Sequence, residues 1–257
     1  MVQRQAVGAS RSLDRVGQVL EYITQSRAGC TLAELQNHTA IPRSSLHALV
    51  GSLVGQDMLK REPSGRLVAG PSLVRWGARL IQRLDLRDVA RPWMKILAHQ
   101  TDFVVNLAEI DEERQDIVCL AKEQSGSFHT SVQVGNHLSL HSTALGKVLL
   151  AYAPMDWRGR YLSDDPFPAR TMATVTQASL LTEELDRIRH RAWSEDHQEN
   201  EEGVCAVGAP IRNYTGLVIA AISVALPNQF FEPCRLKIID ATVKTAHSIS
   251  RELGAEG

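Results

Sequence analysis

Leu46, Leu49, Val50, Leu53 and Val54 recur at i, i+3, i+4, i+7 and i+8, the spacing that lines up one face of a helix. No other stretch restricts the fold as tightly, because its neighbours on both sides complete a compound motif. Ahead of it, Pro42 is predicted at the first helical position, where a missing N–H costs nothing. Further back, Thr31 and Glu34 form a Thr-x-x-Glu capping box that predicts a short helix over 32–38. Leu13, Val16, Leu20 and Ile23 mark an amphipathic helix before that. Behind it, residues 58–61 and 66–68 flank Glu62-Pro63-Ser64-Gly65, a turn with Pro second and Gly fourth, so a two-stranded hairpin is expected.

Helix, short helix, tight turn, helix and hairpin in that order predict a winged helix-turn-helix over residues 12–70, with residues 1–11 expected as a disordered arm. The start of the third helix offers Arg43, Ser44, Ser45, His47 and Ala48, side chains small or polar enough to reach base edges and phosphates. Lys60, Arg61 and Arg66 make the hairpin basic. These residues, Ala48 aside, are the candidate contacts to double-stranded DNA. The charge balance agrees. Nine Lys and Arg stand against five Asp and Glu in residues 1–75, whereas the whole chain carries a net charge of −1.

The 257-residue chain is long enough for a second domain, expected over 86–257. Runs at 103–110, 116–123, 128–134, 205–211 and 217–225 are β-rich, and residues 180–191 together with Leu236, Ile239, Val243, Ala246, Ile249 and Leu253 are helical in pattern. An α+β fold with a mixed sheet flanked by helices is predicted. Between the two domains, Leu73, Trp76, Gly77, Leu80 and Leu84 place a stripe on a linker helix expected over 71–85, which either packs on its own chain or joins a second copy. Thr143 is a natural N-cap for the helix beginning Ala144-Leu145-Gly146-Lys147, and such a helix start can receive an anion.

Two separate regions resemble the IclR family of transcription regulators. The first is Ser26-Arg27-Ala28-Gly29-Cys30-Thr31-Leu32-Ala33-Glu34-Leu35 with Ile41-Pro42-Arg43-Ser44-Ser45-Leu46-His47-Ala48-Leu49. The second comprises Leu140-His141-Ser142-Thr143-Ala144-Leu145-Gly146-Lys147-Val148-Leu149-Leu150-Ala151, then Glu201-Glu202-Gly203-Val204 and Ala220-Ala221-Ile222-Ser223-Val224. The resemblance spans about residues 12–253 and implies a GAF-like effector domain, dimerisation through the linker helix, and a homodimer or dimer of dimers on a palindromic operator. It also implies an effector pocket at Ala144, Leu145, Asp196, Ala206, Ser223 and Ala225, with wall positions Leu138, Ser127 and Thr130. The form that binds small oxo-acids has Cys and Ser where this chain has Ala206 and Ala225. A less polar and larger carboxylic acid, aromatic or alicyclic, is therefore expected. Asp196 reads equally as an acceptor for a ligand hydroxyl and as a solvated loop carboxylate.

Other function classes find little support. Gly-x-Ser-x-Gly, Gly-x-Gly-x-x-Gly and His-Glu-x-x-His are absent, and Gly146-Lys147 lacks the earlier glycine and following hydroxyl of a phosphate loop, so no enzyme and no cofactor are expected. His137 and His141 stand four apart with His129 near, but no third ligand has diagnostic spacing, and Cys30, Cys119, Cys205 and Cys234 form no Cys-x-x-Cys pair, so no metal is expected. No apolar run reaches the ~18 residues of a membrane span, and a cytoplasmic protein is expected. The competing reading is a DNA-binding oligomer whose second domain is only structural and answers to no ligand.

Overall fold

The computed structural model describes residues 11–26, 28–81 and 84–255. The expected N-terminal arm lies outside these up to residue 10, and Arg11 already opens the first helix. The chain divides into two compact units, Met1–Arg83 and Leu84–Gly257.

In the first unit, α1 (Arg11–Gln25), α2 (Leu32–Thr39) and α3 (Arg43–Gly55) are followed by the antiparallel hairpin β1 (Leu59–Arg61) and β2 (Leu67–Ala69), then α4 (Pro71–Ile81). Thr31 and Glu34 form the reciprocal capping box, and Gly65 N–H donates to Glu62 O at 2.9 Å to close the hairpin turn. Val19, Ile23, Leu35, Leu46, Val50, Leu53, Leu59 and Leu67 meet in one buried cluster, so each element contributes its apolar face to the same centre. Burying each such side chain contributes roughly 1.5–3 kcal/mol. Pro42 is the N-cap of α3, one place earlier than the spacing predicts, because its carbonyl accepts the first helical bond, from Leu46 N–H at 2.9 Å. The helix expected to run through residue 85 is described only to Ile81. Asp85 instead caps the next helix by accepting from Arg87 N–H at 2.9 Å.

The second unit is a six-stranded sheet in the order β5-β4-β3-β8-β7-β6, with helices on both faces. Its elements are α5 (Leu86–Thr101), β3 (Val104–Asp111), β4 (Asp116–Gln124), β5 (His137–Leu138), α6 (Ala144–Tyr152), α7 (Met155–Leu162), α8 (Ala178–Arg191), β6 (Ser194–His197), β7 (Val204–Arg212), β8 (Val218–Pro227) and α9 (Asn228–Glu252). The α+β class holds. Within the sheet every neighbouring pair is antiparallel, where a mixed sheet was predicted, because the long strands come as hairpins and β8 returns antiparallel beside β3.

Alternate residues of the strands enter two cores. Cys205, Val207, Ala209 and Ile211 face Met94, Leu97, Phe231 and Ile249 of α5 and α9, whereas Ala108, Ile117 and Ala221 pack with Val148, Leu149, Leu181 and Leu185 of α6 and α8. The run 128–134 is not a strand. Lys122 Nζ binds the carbonyls of Thr130 and Val132 at 3.1 and 2.6 Å, and this ties the segment down as a cover instead of letting it pair.

Candidate nucleic-acid interface and ligand cavity

Packing α3 through Leu46, Val50 and Leu53 turns Arg43, Ser44, His47 and Ala48 outward, all exposed, with Ser45 half-buried. A helix start that carries a cation, hydroxyls and an imidazole on a free face can enter a major groove and meet base edges and phosphates. Lys60 and Arg61 are exposed on the hairpin. Arg66 is different. Its guanidinium donates to Ala28 O at 2.9 Å, to Gly29 O at 2.7 Å and to Glu34 Oε2 at 3.3 Å, so it fastens the hairpin to the turn before α2. Arg66 thereby positions the wing, with about a third of its side chain still exposed.

In the second unit a cavity lies against two neighbouring cross-strand rows, from which Asn106, Ser223, Ala225, Ala206 and Asp196 line it. One row runs Val104, Ala225, Ala206, Asp196 and the other Asn106, Ser223, Gly208, Ser194, each from β3 through β8 and β7 to β6. Above them lies the start of α6, held very close. A Cβ on Gly208 would stand 2.8 Å from Ala144 O, and Ser194 Oγ donates to that same carbonyl at 2.6 Å. Thr143 caps α6 by accepting from Gly146 N–H at 2.9 Å. Gly146 itself presses on the backbone of Ser139 and Leu140, where a Cβ would come within 2.5 Å, so its smallness serves chain packing and not ligand approach.

Of the effector positions implied by resemblance, Thr130, Leu138, Ala144, Leu145, Asp196, Ala206, Ser223 and Ala225 all line this cavity. Ser127 does not; it is exposed on the covering segment. Asn106, Val132, Thr143, Asn200, Glu201 and Val204 complete the lining. The cavity between these walls is small, about 40 Å³. The segment 128–134 covers this space through Thr130 and Val132. That cover is latched where Ser131 Oγ donates to Glu201 Oε2 at 2.7 Å.

Asp196 is no solvated loop carboxylate. It sits on β6, 5% exposed, and accepts from Glu199 N–H at 2.7 Å. Burial, reinforced by Glu199 and opposed by Lys147 and backbone N–H groups, raises its carboxyl to about 7. Lys147 is 2% exposed and donates to Glu199 Oε1 at 2.6 Å, a buried ion pair beside the cavity. Two lining atoms, Asn106 Oδ1 and Thr130 Oγ1, are buried without a hydrogen-bond partner. Sequence reasoning missed Asn106 and Lys147, although each is a lone polar residue inside an apolar run, Val-Val-Asn-Leu-Ala and Ala-Leu-Gly-Lys-Val-Leu-Leu.

His141 and His137 each meet protein groups. Both ring nitrogens of His141 are engaged, with Tyr161 Oη at 2.9 Å and Pro168 O at 3.0 Å, and burial lowers its pKa. The Pro168 carbonyl can only accept, so Nε2 carries the proton and Nδ1 accepts from Tyr161. His137 Nδ1 lies 2.9 Å from Asp116 Oδ1.

A winged helix-turn-helix with an exposed polar helix start, followed by a separate α+β unit with a small cavity of its own, is the architecture of a DNA-binding transcription regulator. The sequence matches the IclR helix-turn-helix domain over residues 12–63 and the bacterial transcriptional regulator IclR C-terminal family over residues 78–251. The chain belongs to the IclR family of bacterial DNA-binding transcription regulators. It is 29% identical to the HTH-type transcriptional regulator KipR of Bacillus subtilis over 226 residues, 87% of this chain and 90% of that one. The repressor BlcR of Agobacterium tumefaciens superposes with a TM-score of 0.83 at 27% identity, over 96% of this chain and 98% of that one. An IclR homologue from Microbacterium hydrocarbonoxydans complexed with 4-hydroxybenzoate superposes with a TM-score of 0.60 at 26% identity, over 94% and 98%. No helix among the described residues is long and apolar enough to cross a membrane.

Proposed function

We propose that this chain grips a palindromic operator through Arg43, Ser44, Ser45 and His47 of α3 and Lys60 and Arg61 of the wing, and that a small organic acid in the cavity modulates that grip. The convergence of eight expected effector positions on one cavity carries the reading. The acid's carboxylate meets the start of α6, where the amides of Ala144 and Leu145 precede the first helical bond. The floor supplied by Ala206 and Ala225 is apolar, which suits a ring or an aliphatic body better than a compact oxo-acid. The bound 4-hydroxybenzoate of the Microbacterium homologue supports the same class.

Exposed Val74, Trp76, Leu80 and Ile81 along α4 support assembly through that helix into a homodimer or dimer of dimers. An aromatic acid is expected to raise the melting temperature of the purified chain and to change its affinity for operator DNA measured by fluorescence anisotropy. Asp196→Asn or Ala144→Val should remove that response and leave DNA binding intact. If aromatic acids leave both quantities unchanged while a short oxo-acid shifts them, the assigned ligand class is wrong. If no acid shifts either, the second unit is a structural oligomerisation domain.

A further inference from the structure

Strand β6 covers its neighbour only in part. It pairs with β7 from Cys205 to Gly208, yet β7 runs on to Arg212, so among the described residues 209–212 form a bare edge of the sheet. Pro210 fits there, because it brings no N–H to be left unpaired. Against this edge, the turn out of α8 at Ala192 and the C-terminal half of α9 enclose a second cavity of about 240 Å³. It shares no lining residue with the cavity beneath α6.

Its buried lining is mainly apolar, with Ala209 and Ala246, whereas its exposed lining is basic. His247 and Arg251 come from α9, and half-buried Arg212 comes from the end of β7. No carboxylate lines the space. Seven other arginines of this unit, from Arg87 to Arg235, meet a carboxylate, but Arg212 and Arg251 meet none among the described residues. Two like charges drawn to one concave site repel each other, and no acidic group of the described chain offsets that cost.

Arg212 is also fixed in place. Its Nη1 donates to Gly216 O at 2.9 Å, its guanidinium lies over the Tyr152 ring at 4.7 Å from the centroid, and its backbone N–H donates to Ser250 Oγ at 2.9 Å. A guanidinium held this way, with N–H groups left over, is preorganised for an oxyanion. Two permanent positive charges with forked donors match a phosphoryl dianion better than a single carboxylate, and His247 adds a ring nitrogen. The volume lies just under the ~300 Å³ at which ordinary ligand pockets begin, so the guest is small. The phosphates of a duplex sit on a convex surface and cannot reach the apolar lining. We infer that this cavity is a second ligand site, separate from the one beneath α6, and that it binds a small organic phosphate, with Arg212 and Arg251 on the phosphoryl group and the apolar lining against its carbon body.

The test is calorimetry on the full chain in a phosphate-free buffer, with phenyl phosphate, inorganic phosphate and benzoate as probes. Phenyl phosphate should bind more tightly than inorganic phosphate, because only its ring reaches the apolar lining. Arg251→Ala and Arg212→Met should each weaken phenyl phosphate at least ~10-fold, the loss expected for a charged hydrogen-bond donor. Arg251→Ala removes an exposed and unpaired side chain, so it should leave the melting temperature level and carries the test even where Arg212→Met unsettles the β7–β8 turn. Excess benzoate and Arg43→Ala should each leave the affinity for phenyl phosphate unchanged, which separates this site from the acid cavity and from the DNA-binding face. Phenyl phosphate held no more tightly than inorganic phosphate, binding that survives both substitutions, or binding that benzoate or Arg43→Ala removes overturns the inference. A salt slope of DNA binding that falls in Arg251→Ala also overturns it, because the cations would then belong to a surface that meets the duplex backbone.

Discussion

Asp196→Asn isolates the electrostatics of the cavity. The carboxyl lies at about 7 in the folded chain, mainly through burial, against an ordinary value of 3.8. Between those two values the folded protein keeps a proton that the unfolded chain has released. Stability from this group is therefore fully present below about 3.8, declines as the pH rises through the window, and levels off above about 7. A shift of about three units corresponds to about 4 kcal/mol between the ends of the window. Asparagine copies the neutral acid and cannot ionise, and its oxygen can still accept from Glu199 N–H. The difference in unfolding free energy between Asp196→Asn and the parent should thus be near zero at pH 4 and grow to about 4 kcal/mol in favour of the variant at pH 8. Urea unfolding followed by the fluorescence of Trp93, Trp157 and Trp193, all in the second unit, measures this, and the other titrating groups cancel in the difference. A difference that stays flat with pH, or a variant weaker than its parent at pH 8, refutes the reasoning.

Lys147→Met should destabilise the second unit by about 3–5 kcal/mol, because it strands Glu199 in the interior, and Lys147→Met with Glu199→Leu should recover much of that loss in the same urea assay. Gly208→Ala would bring a Cβ to 2.8 Å from Ala144 O, so it should displace the start of α6, cost about 1–3 kcal/mol and abolish acid binding by calorimetry. Arg66→Ala should lower the unfolding free energy of the first unit by about 1–2 kcal/mol through its lost bonds to Ala28 and Gly29. Lys60→Ala should leave that stability unchanged and reduce the salt slope of DNA binding by about one.

The first unit was legible almost residue by residue because its signals are local. Helical spacing, the Thr31–Glu34 box and the Pro-Gly turn each act within a few positions. The role of Arg66 was hidden, since its acceptors Ala28 and Gly29 lie nearly forty residues back along the chain and are carbonyls of any sequence. In the second unit the long strands and the Thr143 cap were visible, but β6 was not. Ser-Glu-Asp-His has neither β-branched nor aromatic residues and becomes a strand only because β7 offers an edge to pair with. The helix α5 contains Pro92, which masks its period. The segment 128–134 alternates like a strand and is held as a cover by Lys122 and Glu201, partners that no local pattern announces. Eight of the positions that the resemblance suggests line one cavity. Asn106 and the Lys147–Glu199 pair emerge only when the sheet and α6 are in register.

Everything in the functional account requires the exposed start of α3 to read a duplex. Selection of bound sequences from a random double-stranded library with the full chain tests this most directly, followed by titration of the winning sequence with the parent and with Arg43→Ala. The account predicts enrichment of one palindrome, bound with a steep salt dependence and more weakly by the variant, by about 1–3 kcal/mol. Failure to enrich any sequence, or binding that ignores both salt and Arg43, would contradict it.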